Sequence, residues 1–100
     1  MEQQDSRLAF TVTWQVREGQ VAAAADIVAR FAPLARAEAG VEFLGIGQCT
    51  TDPKRFLFFE IFKDAATFAA HQETAHFKTM ILEQALPLLD KRERVQYVLV

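Results

Sequence analysis

The sequence predicts an α+β fold of ferredoxin-like topology, built on one antiparallel sheet with helices on one face. Three observations predict it. Four segments are apolar, aromatic or β-branched in the manner of strands, three others repeat with a helical period, and the order is β-α-β-β-α-α-β. The 100 residues suit a single domain spanning the chain, with residues 1–7 a loosely held lead-in.

The first strand is Leu8 to Val16, with Phe10, Val12, Trp14 and Val16 on one face and Ala9, Thr11, Thr13 and Gln15 on the other. Gly19 breaks it. Val21 to Ala39 then follows a helical period, its stripe being Val21, Ala24, Val28, Phe31 and Ala35, flanked by Ile27 and Leu34. Pro33 lacks the N–H that would bond to the carbonyl of Ala29, which predicts a kink, and Gly40 suits the C′ position that ends the helix.

Val41 to Thr50 reads as the second strand, where Gly45 and Gly47 mark a bulge or a close backbone approach. Thr51-Asp52-Pro53-Lys54 is turn chemistry, so Arg55 to Phe62 returns as the third strand of a hairpin. Asp64 caps a helix to about Gln72, and Thr74 offers a second cap for a helix to about Leu89, disturbed at Pro87. The cluster Lys91 to Arg94, broken by Glu93, reads as a solvated turn before a closing strand, Val95 to Val100.

Composition narrows the classes. Hydrophobic residues make up 51% and nine are Phe, a heavy load for a domain whose surface is large relative to its volume. The sheet face without helices needs a cover, and a second copy of the same sheet is the simplest, so the expected state is a homodimer. A net charge of −2 with scattered basic residues gives no reason to expect nucleic acid or anionic lipid as partner. Cys49 stands alone, so neither an intrachain disulfide nor a Cys-based metal cage is expected. With a polar, acidic N-terminus and no apolar run near the roughly 18 residues of a membrane span, the expected location is the cytoplasm.

Three side chains stand out for chemistry. Glu60 lies within Phe56-Leu57-Phe58-Phe59-Glu60-Ile61-Phe62, where strand alternation sets it beside Phe58 and Phe62. A carboxylate there needs a hydrogen-bond partner or a proton. His71, on a helix expected to pack over that strand, is the partner the sequence suggests. Two readings are open: a carboxylate orienting an imidazole base, or a structural pair that fixes helix to sheet. His76 either joins that pocket or sits half-exposed in the first turn of the last helix. The spacing of the two His residues is not the i, i+4 arrangement and no third ligand stands near, so no metal is expected. Trp14, Phe43, Phe58, Phe62, Phe68 and Phe77 line a flat aromatic pocket or simply fill the core.

Several runs resemble the antibiotic biosynthesis monooxygenase family. They are Arg36-Ala37-Glu38-Ala39-Gly40, Asp52-Pro53, Glu60, Asp64 and above all His71-Gln72-Glu73-Thr74-Ala75-His76-Phe77, within a likeness running from about Leu8 to Val98. The resemblance implies a dimeric α/β-barrel. It also implies one of several activities: oxygenation of quinols or polyketides without flavin or metal, haem degradation, or isomerisation of a phosphorylated sugar. The chain departs from the haem-degrading members, with no Asn on the first strand, His71 where a Trp is expected and Ile81 where an axial His is expected. Its only Tyr, Tyr97, is on the last strand, which departs from the Asn, Trp and Tyr of the polyketide-oxidising members.

The expected function is a cofactor-independent monooxygenase taking a small phenol or quinol and molecular oxygen, with His71 as base. The alternatives are isomerisation of a small carbonyl compound and a non-enzymatic ligand-binding or stress-protective dimer.

Overall fold

In the computed structural model, residues 5–100 are described; part of the expected loose lead-in, residues 1–4, lies outside them. The elements are β1 (Leu8–Val16), α1 (Val21–Arg36), β2 (Val41–Gln48), β3 (Arg55–Phe62), α2 (Ala65–Gln72), a π-helix α3 (Phe77–Ala85) ending in a 3₁₀ turn (Leu86–Leu88), and β4 (Leu89–Tyr97). The strands form one sheet in the order β2-β3-β1-β4, antiparallel throughout, as the ferredoxin-like reading requires.

The faces of β1 divide as its alternation predicts. Phe10, Val12, Trp14 and Val16 are buried on the helix side, where Val12, Trp14 and Val16 join Ala24, Ile27, Phe31 and Ala35 of α1 and Phe77, Ile81 and Ala85 of α3 in one core. Ile27 is central to the α1 stripe, while Leu34, expected to flank it, is exposed. The helix continues past Pro33 by less than a turn.

Four expectations need correction. Gly40 is not a helix cap: α1 ends at Arg36 with Ala37 as its cap, and only Gly19 has a positive φ, 82°. Gly40 is needed instead because a Cβ there would overlap the Thr67 side chain. The bulge in β2 falls between Val41 and Phe43, not at Gly45 or Gly47, although the Phe43 ring does lie close over Gly45. The last helix is π-helical, with bonds such as Leu86 N–H to Ile81 O, a distinction that apolar periodicity does not resolve. Finally, β4 begins at Leu89 and ends at Tyr97, so Lys91 to Arg94 is strand rather than turn, pairing with Gln15 through Val12. It is an edge strand, and its charged residues hide its apolar signature while discouraging edge-to-edge pairing.

The β2–β3 hairpin closes as read. Asp52 Oδ1 accepts from Lys54 N–H at 3.1 Å, and Arg55 N–H donates to Asp52 O at 3.0 Å. No helix among the described residues is long and apolar enough to cross a membrane.

Candidate active site around His71

The site is assembled by α2 and the turn that follows α1. A capping box starts α2: Asp64 Oδ1 accepts from Thr67 N–H at 2.8 Å, while Asp64 N–H donates to Thr67 Oγ1 at 3.1 Å. Such a cap is worth about 1 kcal/mol and fixes where the helix begins. Because Gly40 lacks a side chain, Thr67 can press against the start of β2, and Lys63 N–H reaches Gly40 O at 2.8 Å. Arg36 binds the carbonyl of Leu44 through Nε and Nη2 at 3.1 and 2.9 Å, holding the end of α1 to β2. The short segment between these tethers carries Glu38 to the far end of α2.

There Glu38 meets both histidines. His71 Nδ1 lies 3.0 and 2.9 Å from the two Glu38 oxygens, and His76 Nε2 lies 2.7 Å from Oε2. A carboxylate only accepts, so these two ring nitrogens carry protons and donate. In neutral His71 the lone pair is then on Nε2. That atom makes no hydrogen bond among the described residues, yet no buried side-chain nitrogen or oxygen there is left sealed off without a partner, so Nε2 keeps an opening. The ring itself is only 5% exposed and is packed by Phe62 and Phe77 at 5.0 and 5.1 Å, with Phe31 edge-on at 6.1 Å.

His71 opens on a small niche of about 20 Å³ between sheet and helices, which communicates with solvent. Val12 is the small residue in its floor, and Trp14, Phe58, Phe31, Phe77 and Ile81 form apolar walls. Glu60 and Arg92 are its charged members. Burial pushes the Glu60 carboxyl up to about 7, against the opposing pull of Arg92 and Arg94 and with a smaller upward contribution from Glu38. It has no hydrogen-bond partner among the described residues. A carboxyl so placed is able to take or give a proton near neutrality.

The expected pairing of Glu60 with His71 is therefore not what forms. Both face the niche, but the imidazole is held by Glu38 and the Glu60 carboxyl stands apart. His76 does stand at the start of the last helix, as its N-cap, but its side chain is only 19% exposed and is held in the Glu38 cluster, one step back from the niche. Of the aromatic set, Trp14, Phe58 and Phe77 line the niche, with Trp14 and Phe58 ring centroids 4.7 Å apart. Phe62 lines an adjoining crevice with Glu60 and His71. Phe68 instead stacks on Phe10 at 4.5 Å, and Phe43 is on the opposite sheet face against Phe59 at 5.9 Å.

Glu38 and Arg92 escaped the sequence reading. Glu38 is 33 positions from His71, and no local pattern links them. Arg92 was hidden by the reading of Lys91 to Arg94 as a turn; its alternation with Arg94 was the signal available. Among the described residues, no three His, Cys, Asp or Glu side chains are arranged to hold a metal.

Residues 8–81 match the model of the antibiotic biosynthesis monooxygenase family. No curated protein matches the chain in sequence. Among solved structures, a candidate antibiotic biosynthesis monooxygenase from Nitrosomonas europaea is similar with a TM-score of 0.89 at 25% identity, covering 100% of this chain and 96% of its own. A Pseudomonas aeruginosa protein gives 0.86 at 24% identity over 99% of each chain. A Shewanella oneidensis protein gives 0.86 at 22% over 93% of this chain and 90% of its own, and these two likenesses concern the fold. With a family match over most of its length, the chain belongs to the antibiotic biosynthesis monooxygenase family.

Proposed function

We propose that this protein is a monooxygenase of a small phenol or quinol, in which His71 removes the hydroxyl proton. The observation that carries the reading is the Glu38–His71 hydrogen bond, which engages Nδ1 and leaves Nε2 free on an imidazole that lines the niche. Carboxylate-oriented imidazole is the arrangement a general base needs, since the carboxylate fixes the tautomer and favours the imidazolium that forms. The enclosed space is about 20 Å³, far below the roughly 300–1,000 Å³ of ligand pockets, so a single ring enters only as the side-chain walls part to admit it.

Deprotonation is the step the protein supplies. A phenolate is a far better electron donor than the phenol, and it reduces molecular oxygen directly. One oxygen atom becomes a new ring carbonyl, the other leaves as water, and all electrons come from the ring. No flavin or metal is required by this balance. A niche walled by Trp14, Phe58 and Phe77 leaves room for few competing water molecules.

A second copy of the chain is proposed to complete the molecule. On the sheet face away from the helices, Phe43, Leu57 and Tyr97 are 50%, 46% and 50% exposed. Phe43, Leu57, Val95 and Tyr97 point the same way as Thr11 and Thr13 on β1, so exposed apolar side chains from three strands share this face.

A second catalytic reading is favoured by Glu60. Two groups able to pass a proton, Glu60 and His71, facing one niche also suit isomerisation of a carbonyl compound. Oxygen consumption by the purified protein with a panel of quinols and hydroxylated aromatics separates the readings. Uptake above autoxidation that His71→Ala abolishes is the expected result. Turnover that continues unchanged without oxygen would assign the site to isomerisation, and uptake retained in His71→Ala would remove His71 as base.

A further inference from the structure

Arg92 and Arg94 stand two positions apart on β4, so both project to the helix-bearing face of the sheet, opposite Trp14 and Val12 of β1. Arg92 closes one side of the niche that holds His71 and Glu60. Arg94 lies over the Phe10 and Phe68 rings, its guanidinium 5.4 and 5.1 Å from their centroids, a cation–π placement that steadies it beside the niche. Arg7, Arg17 and Arg30 each reach a carboxylate within 4 Å. Among the described residues neither Arg92 nor Arg94 does.

Two guanidiniums side by side without a counter-charge repel one another. Both side chains reach solvent, but partial desolvation beside the niche and the neighbouring Arg94 charge lower the Arg92 pKa, and Glu60 only partly offsets them. When Glu60 carries its proton, even that compensation is gone. Between the arginines and Glu60 the floor is Val12, short where its neighbours Phe10, Trp14 and Phe58 are long, so a ring that parts the niche walls is flanked by both sides.

We infer that the ring substrate bears an anionic substituent (a carboxylate, sulfonate or phosphate) bound by Arg92 and Arg94 while its hydroxyl faces His71. The inference rests on the reading of the niche as a phenol or quinol site and names the substrate class within it. Guanidinium suits this task because its fork of donors matches the oxygens of such groups and it remains charged.

The test is a titration of the full chain with hydroquinone, 2,5-dihydroxybenzoate and hydroquinone sulfonate, followed by calorimetry and by the fluorescence of Trp14, the only Trp. It is run on the parent, Arg92→Gln, Arg94→Gln and the double variant, at low and high salt. The anionic rings are expected to bind roughly 10- to 100-fold more tightly than hydroquinone, as charge-assisted hydrogen bonds allow. That advantage shrinks with salt and disappears in the double variant, which keeps its affinity for hydroquinone. Equal affinity for charged and neutral rings overturns the inference, as does no binding of the anionic rings or an advantage that survives loss of both arginines. Oxygen uptake on the same samples separates the two levels of the argument. Arginine-dependent binding without uptake leaves the anion site standing and removes the oxygenase; uptake with no preference for anionic rings does the reverse.

Discussion

Glu38 accepts a hydrogen bond from His71 Nδ1 at 2.9 Å and, on the same carboxylate, one from His76 Nε2 at 2.7 Å. One carboxylate thus fixes two imidazoles, and only His71 extends to the niche. Substituting Glu38→Gln keeps the shape but puts an amide N–H against one imidazole N–H. Turnover should fall roughly 10- to 100-fold with little change in KM, the scale seen when partners that orient a functional His are removed. Nitrogen NMR of His71 should show its proton redistributed between Nδ1 and Nε2. Unchanged kinetics together with an unchanged tautomer would show that Glu38 is structural.

Glu60 makes stability depend on pH in the direction opposite to most carboxylates. Its folded pKa of about 7 exceeds the ordinary 4.5, so between these values the folded chain holds a proton that the unfolded chain has lost. Its contribution is therefore favourable at low pH and is lost as pH rises through this window, by roughly 3 kcal/mol at most. Glu60→Gln should match the parent near pH 4 and exceed it in urea midpoint near pH 8. A parent more stable than the variant at pH 8 would mean that Arg92 and Arg94 outweigh burial.

Gly40 is the narrowest point of the scaffold. An Ala there overlaps the Thr67 side chain, beginning with its Cβ, so Thr67→Ala should give no rescue. Gly40→Ala is expected to cost about 1–3 kcal/mol, the usual range for overpacking, and to displace α2 and with it His71. Chemical denaturation alongside activity checks both; a variant with parental stability would show that the turn yields easily.

The uncovered sheet face gives a prediction of mass. Leu57→Lys should yield a particle of half the parental mass by light scattering at micromolar concentration, with the helix-side core undisturbed because Leu57 projects to the outer face. A parent already monomeric under those conditions would contradict the proposed dimer.

Much of this was legible in the residues. The bounds of β1, β3 and α2 follow from local patterns: alternation in Leu8–Val16, an aromatic run in Arg55–Phe62, and the Asp64 cap with Thr67 three residues on. His71 and Glu60 were visible as polar residues in apolar settings. β4 was misplaced because an edge strand needs little apolar surface, so Lys91 to Arg94 carried none of the usual signal.

The sequence by itself determined the strand faces, the order of elements and the family, because period-two and helical patterns, caps and turn residues act over a few neighbours. Only the tertiary structure decided which carboxylate serves His71. Glu38 and Glu60 were both available, and the choice depends on Gly40 letting Thr67 approach, which brings Glu38 to α2 and leaves Glu60 alone in the niche. Contacts between residues 33 positions apart are set by how elements pack, and no local pattern encodes them.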